Sequence, residues 1–302
     1  MMKRKSLLVI PLAGLGNRMR VLSSCIQLAK RENRILWVVW PVNSDLGCDI
    51  TDIFESIGME YSVPPKWIRY LLVNFYRTGA IKRFYRFYKL FSQLFFSNSI
   101  FDRDIIDDAS ANPLKAVKWN SEASCILVAT CLAFHEQDTG SDVATYLKNE
   151  VNRELFKSFR FTDYLINEVN REYGKMGKPY IGIHVRRTDH ADIIKNNPYE
   201  SYLDKINKFL LEDPDQKFFL ATDSDETKKY FLNKYFDKFY TVGYKLGRSD
   251  LEGIYGGVIE LLLLANSKKI ICSIISSYSN TAVLIGDIRD VTYVDKFLSE
   301  KV

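Results

Sequence analysis

Tyr180-Ile-Gly-Ile-His-Val-Arg-Arg-Thr-Asp189 is the run on which the fold turns. Tyr180 to Val185 is apolar, rich in β-branched residues and bounded by Pro179, the pattern of a short buried strand. Arg186, Arg187 and Asp189 come directly after it. Guanidiniums contribute nothing to a core, so the strand ends where the charge begins. In an open α/β sheet, ligands bind just beyond the carboxyl ends of strands. Arginine grips phosphates through paired hydrogen bonds. His184, two residues before Arg186, falls on the same strand face. Two readings are open: a pocket for an anionic leaving group, or a surface salt bridge among Arg186, Arg187 and Asp189.

Downstream, strands and helices alternate. A loop to Pro198 leads to a helix over 199–211. Next come a strand over 217–221 that ends in Thr222-Asp223-Ser224-Asp225, a helix over 226–234 and a weaker strand near 239–242. A long apolar helix over 256–266, a strand over 269–272 and a Ser-rich turn into a last helix complete the set. Such alternation builds a mostly parallel sheet covered by helices. Three of these strands end in polar sets: Arg186/Arg187/Asp189, Asp223/Asp225 and Ser276/Ser277/Ser279. They converge on one sheet edge, which favours the pocket over the salt bridge.

Upstream, a strand over 7–10 meets the tight turn Pro11-Leu-Ala-Gly14-Leu-Gly16-Asn17, then an amphipathic helix over 18–30 with Met19, Leu22, Ile26 and Ala29 on one face. Such a turn presents backbone N–H groups to an anion or sugar. It lacks the third glycine of the dinucleotide fingerprint and the Gly-Lys-Ser/Thr of a P-loop. A second strand covers 35–40, a short helix 49–57 and a buried strand 124–129. Helices cover 143–156 and 162–173. Gly174-Lys-Met-Gly-Lys-Pro179 marks the boundary between an N-terminal domain, 1–174, and a C-terminal domain, 175–302.

From Tyr61 to Phe101 there is no Asp or Glu, while seven Lys/Arg interleave with the eleven aromatic residues between those two. The segment, within an insertion over 61–119, reads as helical and amphipathic. It packs its aromatics inward, or lies on a membrane surface, or walls a sugar acceptor, or stacks on nucleic acid.

The chain has 302 residues and a net charge of +5, too mild to indicate nucleic acid by itself. Its five cysteines are scattered and lack CxxC spacing, so they read as free thiols of a reducing, cytoplasmic compartment. Lys3-Arg4-Lys5 before Leu7–Ile10 imitates the start of a signal peptide, but Pro11 breaks the apolar run and a first strand fits better. No apolar run is long enough for a transmembrane helix. Asp223-Ser-Asp225 matches the Asp-x-Asp that holds a divalent metal in one class of glycosyltransferases. The arginines already supply positive charge for a diphosphate, so no metal or other cofactor is expected.

The order and spacing of Tyr180–Asp189, Phe219-Leu-Ala-Thr-Asp223 and Gly257-Val-Ile-Glu260 through Cys272 to Ser277 resemble the α-1,6-fucosyltransferases. Leu12-Ala-Gly14-Leu-Gly16-Asn17 resembles the opening turn of the protein O-fucosyltransferases. The resemblance covers that turn and nearly all of 175–286, but not 60–120. It implies an α/β GT-B fold of two facing Rossmann-like domains with parallel sheets, a GDP-fucose donor held mainly by the C-terminal half, inversion at the anomeric carbon and no metal. By match, Arg186 would bind the β-phosphate, with His184 and Asp189 holding it and the sugar-phosphate. Arg187 would join the donor site, Asp223 and Glu260 would contact ribose or guanine, and Ser276 and Ser277 would donate to phosphates. Gly14, Gly16 and Asn17 would line the cleft from the other half.

Two departures stand out. His190 replaces the family's lysine, and Ile194 occupies the place of the glutamate proposed as base, leaving Asp192 as the nearest carboxylate. The Ser turn also carries one extra residue. The expected function is an inverting fucosyltransferase acting on a glycan or glycolipid acceptor, with peripheral membrane contact through 61–101 and no nucleic acid. The alternatives are another nucleotide sugar, or a non-enzymatic basic module that binds membrane or nucleic acid.

Overall fold

The computed structural model describes residues 5–105, 117–134, 143–177, 179–188 and 191–295. The chain divides into two compact units, Met1–Arg160 and Phe161–Val302. Unit 1 runs β1 (Ser6–Pro11), α1 (Leu15–Arg31), β2 (Ile35–Val38), α2 (Ile50–Ile53), β3 (Phe54–Ser56), α3 (Lys66–Phe75), α4 (Thr78–Arg83), α5 (Tyr85–Ser92), β4 (Asn98–Phe101), α6 (Asp102–Ile105), β5 (Cys125–Thr130), α7 (Val143–Lys148) and α8 (Glu150–Lys157). The two-residue β6 (Arg160–Phe161) spans the division. Unit 2 continues α9 (Asp163–Met176), β7 (Tyr180–Val185), α10 (Ala191–Asn196), α11 (Tyr199–Glu212), β8 (Lys217–Thr222), α12 (Asp225–Lys234), β9 (Phe239–Tyr240), α13 (Leu251–Ala265), β10 (Lys269–Cys272), α14 (Ser277–Ile285) and β11 (Val291–Tyr293).

Unit 1 has a four-stranded sheet of order β2-β1-β5-β4 with every pair parallel. The interior strand β1 is buried from Leu7 through Pro11, as a run of Leu, Val and Ile must be when helices cover both sheet faces. The periodic residues of α1, Met19, Leu22, Ile26 and Ala29, are all buried.

Unit 2 has a five-stranded parallel sheet of order β11-β10-β7-β8-β9. Every residue of the central β7 is buried. Ile181, Ile183 and Val185 pack with Phe218, Leu220 and Phe231, and the Tyr180 hydroxyl donates to Leu263 O at 2.7 Å. Helix α13 is apolar on nearly all sides and correspondingly buried. The α/β class with parallel sheets expected from the sequence is the one observed in each unit.

Several boundaries differ from expectation. The domain boundary moves from 174/175 to 160/161, because α9 packs on α13 and so belongs to unit 2. Helix α9 does end nearby, at Gly177, whose left-handed φ of 64° suits a residue without a Cβ. The 49–57 helix stops at Ile53. Asp49 and Asp52 cap it reciprocally, and Phe54 then turns extended, its ring 6.5 Å from Trp40 and 5.4 Å from Phe159. Residues 98–101 are not part of an insertion. They form β4 beside β5, a strand hidden by its polar first residues Asn98 and Ser99. The helix over 143–156 is two, broken where Asn149 caps α8. The edge strand β11 is an addition to the expected set, only three residues long and half-buried throughout.

Helix α14 lies against α13 so closely that a Cβ on Gly286 would sit 1.9 Å from the Ala265 carbonyl oxygen, which is backbone and cannot step aside. Gly286→Ala is therefore expected to destabilise unit 2 by about 3 kcal/mol, read as a lower urea midpoint at unchanged slope. A neutral result would mean that α14 can slide freely on α13.

Candidate functional site

The topology of unit 2 sets where its polar residues meet. From β7 the chain proceeds to β8 and β9 on one side, then crosses through α13 to β10 and β11 on the other. The order reverses between β7 and β10, and ligands of open α/β sheets bind beyond the strand carboxyl ends at such a switch point. There β7 delivers His184, Arg186 and Arg187, β8 delivers Asp223, and the turn after β10 delivers Ser276 and Ser277. They are brought together: the Ser276 hydroxyl lies 3.5 Å from His184 Nδ1, and the Arg187 N–H donates to Asp223 Oδ1 at 2.7 Å.

Asp223 is spoken for. Its second oxygen accepts from the Thr188 N–H at 3.2 Å and from the Thr188 hydroxyl at 2.6 Å. It clamps the loop that carries the arginines and so fixes their direction. Arg187 stacks its guanidinium on the Tyr199 ring, 4.2 Å from the centroid, and donates to Ile194 O at 3.4 Å, while its Nε and Nη2 have no partner. Arg186 is half-buried at the first position beyond β7. Asp189 lies outside the described residues. So does the side chain of Asp192, whose backbone belongs to α10.

The turn before α14 is built rather than loose. Asp295 accepts from the Ser273 hydroxyl and the Ile274 N–H, each at 2.7 Å, and Asn280 Nδ2 donates to Ile274 O at 2.9 Å. Buried Ser276 stands at the N-cap without capping the helix. The positive end of α14 thus opens beside His184 and adds to the field of the arginines. Burial, with Arg186 adding to it and Asp223 opposing, pushes His184 down to about 4. Near neutral pH it is an uncharged imidazole that can donate from one nitrogen and accept at the other. Such an edge suits an anion.

Glu260 lies beneath, on α13, and is buried. Its Oε1 is 3.5 Å from Lys228 Nζ and has no hydrogen-bond partner. Tyr278 joins the two halves of the site: its ring packs on His184 with centroids 4.9 Å apart, and its hydroxyl donates to Gly257 O. Sequence reasoning missed Lys228, Tyr278, Asp295 and Tyr199. Tyr278 sits inside the Ser-rich run and was legible there. Lys228 reads as an ordinary solvated helix lysine until packing sets it beside Glu260.

In unit 1 the turn after β1 places Gly14 at the N-cap of α1, and a Cβ there would meet nothing within 4 Å. Gly16 and Asn17 occupy the first helical turn, where the Asn17 side chain accepts from Arg20. The strained position is not a glycine but Ala13, with φ of 65°. Fully buried Arg18 holds it there. Its Nε donates to Ala13 O at 2.6 Å, its other nitrogens reach Pro41 O and Asn43 Oδ1, and Trp40 lies against its guanidinium.

Burial raises the Glu260 carboxyl from 4.5 to about 8, with Lys228 offsetting only part of this. Between those values the folded chain holds a proton that the unfolded chain releases, so stability falls as pH rises through the window. His184 acts oppositely, from about 4 to 6.5, and is silent above it. Between about pH 5 and pH 8 the wild type is expected to lose stability relative to Glu260→Gln by up to about 1.4 kcal/mol per pH unit, and to level off above that. Parallel melting curves of the two proteins across that range would show instead that Lys228 keeps the carboxylate ionised.

No protein-family model matches the sequence, and no curated protein matches it. Solved structures do match in fold. Fucosyltransferase NodZ from Bradyrhizobium aligns at a TM-score of 0.59 and 17% identity over 93% of each chain. Arabidopsis thaliana FUT1, a point mutant in complex with GDP, aligns at 0.59 and 17% over 95% of this chain and 70% of its own. POFUT1 in complex with GDP-fucose aligns at 0.54 and 11% over 97% and 98%. The chain has the fold of these fucosyltransferase structures.

Proposed function

We propose that the chain is an inverting glycosyltransferase that moves fucose from GDP-fucose to a hydroxyl of a glycan or glycolipid acceptor. The observation that carries this reading is the meeting of Arg186, Arg187, Ser276 and the N-terminus of α14 at the switch point between β7 and β10. That edge belongs to a fold shared with proteins solved with GDP-fucose or GDP. The five free cysteines accord with a cytoplasmic site of action.

In this reading the acceptor oxygen forms a bond to the anomeric carbon as the bond from that carbon to the β-phosphate oxygen breaks, and GDP leaves from the opposite face with the electron pair. Charge grows on the diphosphate, so stabilising it is the main catalytic task. Arg186 meets the β-phosphate, and Ser276, Ser277 and the first N–H groups of α14 add donors. Neutral His184 orients the sugar-phosphate without repelling Arg186. Arg187, stacked on Tyr199, adds its charge beside the donor, while Asp223 holds the loop that carries both arginines. Glu260 takes the guanine or ribose side. The hydroxyl proton passes to a carboxylate, which we assign to Asp192, with Asp189 steadying Arg186. Because guanidiniums and a helix terminus supply the positive charge, the scheme routes no step through a metal.

A ligand bound only by the folded state raises the melting point. GDP is expected to raise it by several degrees, with or without EDTA, while UDP and ADP leave it unmoved. An equal response to UDP would redirect the donor to another nucleotide sugar, and no response to any nucleotide would sink the enzyme reading in favour of a binding module. Arg186→Ala is expected to cut transfer from GDP-fucose by roughly a hundredfold or more while leaving the melting point of the free protein in place. Normal turnover by that variant would remove Arg186 from the mechanism.

A further inference from the structure

Of the eighteen large apolar side chains left exposed among the described residues, eight fall between Trp67 and Phe95. Scattered exposure is ordinary, whereas clustering marks an interaction surface. The cluster has helical order. On α3, Leu72, Val73 and Phe75 pack inward against the unit 1 core, while Trp67, Tyr70 and Leu71 point out, Tyr70 at 70% exposure. On α5, Tyr85 and Tyr88 face inward while Phe87 and Leu90 point out, and Leu94, just beyond the helix end, is 73% exposed. Spacings of i, i+3, i+4 and i, i+3, i+7 put each set on one stripe. Phe75 bridges the stripes, its ring 6.4 Å from Phe87 and 4.8 Å from Phe91, which in turn lies 5.2 Å from Phe95. The result is one apolar face.

Its charge is one-sided. No Asp or Glu occurs from Tyr61 to Phe101. Lys89 is bound to Asp104 and the Ser99 carbonyl, and Arg77 to Asn74. Lys66, Arg69, Lys82, Arg83 and Arg86 make no ion pair among the described residues. A second copy of the chain would set these cations against their own kind. Nucleobases stack on aromatic rings, but Leu71, Leu90 and Leu94 offer no stacking plane. Leucines and rings rimmed by long cationic side chains match the boundary between acyl chains and headgroups, where the rings enter and the cations reach phosphate. No described helix is long and apolar enough to cross a membrane.

We propose that the outer face of α3–α5 is a docking surface for an anionic membrane, entered by Trp67, Leu71, Phe87, Leu90 and Leu94 and held electrostatically by Lys66, Arg69, Lys82, Arg83 and Arg86. It stands independently of the donor site. The test is co-sedimentation with vesicles of phosphatidylcholine alone and of phosphatidylcholine and phosphatidylglycerol in equal parts. The protein should bind the mixed vesicles, release with added salt and ignore the neutral ones. Lys82→Ser/Arg83→Ser/Arg86→Ser should lower partitioning by about fivefold per charge removed, roughly a hundredfold together. Trp67→Ser/Leu90→Ser/Leu94→Ser should abolish it at every salt concentration, and circular dichroism should report both variants folded. Three results would overturn the proposal: equal binding to both vesicles or to neither, a dimer in light scattering that the leucine changes disperse, or tighter binding to a single-stranded oligonucleotide than to the mixed vesicles.

Discussion

A strand buried on both faces cannot carry a charge along its length, and β7 obeys this without exception. From Tyr180 to Val185 every side chain is covered, so the first guanidinium appears only where the strand runs out. Because the sheet is parallel, its neighbours β8 and β10 end at the same edge. A hydrophobic requirement thereby produces a polar rim. Arg187 meets Asp223, and Ser276 meets His184, because the strands that precede these residues are hydrogen-bonded in register.

The rim itself is governed by electrostatics. Among the described residues, Arg186, Arg187 and the N-terminus of α14 come to this one edge. Asp223 spends its lone pairs on Arg187 and Thr188, and His184 stays neutral because its burial beside Arg186 disfavours a second cation. Glu260, deeper on α13, is held toward its protonated form by burial. In the proposed reading these groups would stand in place before an anion arrives, the preorganisation that charge-developing reactions need.

Unit 1 solves a different problem with similar means. Its turn after β1 is held by Arg18, a fully buried cation satisfied by carbonyls and an amide rather than by an acid. The helices α3 to α5 bury only the inner half of their aromatic content, leaving rings, leucines and cations outward. The same segment therefore faces two ways. Tyr76, Tyr88 and Phe101 pack in the core beneath it, and its outer stripes stay exposed.

Two parallel α/β units, strands that end at Arg186, Asp223 and Ser276, and one edge shared by those ends are all legible in the residues as written. Those features are local: strand period, breaker residues and the right-handed crossover leave few alternatives. The basic, acid-free character of 61–101 is equally legible, since composition needs no coordinates. Folding in three dimensions decided the rest. It drew α9 into unit 2 through packing on α13, turned 98–101 into a strand by pairing it with β5, and put Lys228 beside Glu260 and Tyr278 over His184. It gave the left-handed residue of the first turn to Ala13 rather than to a glycine, because Arg18 holds the carbonyl. Each of these outcomes rests on the burial and pairing of specific side chains, to which the periodicity of a single segment is blind.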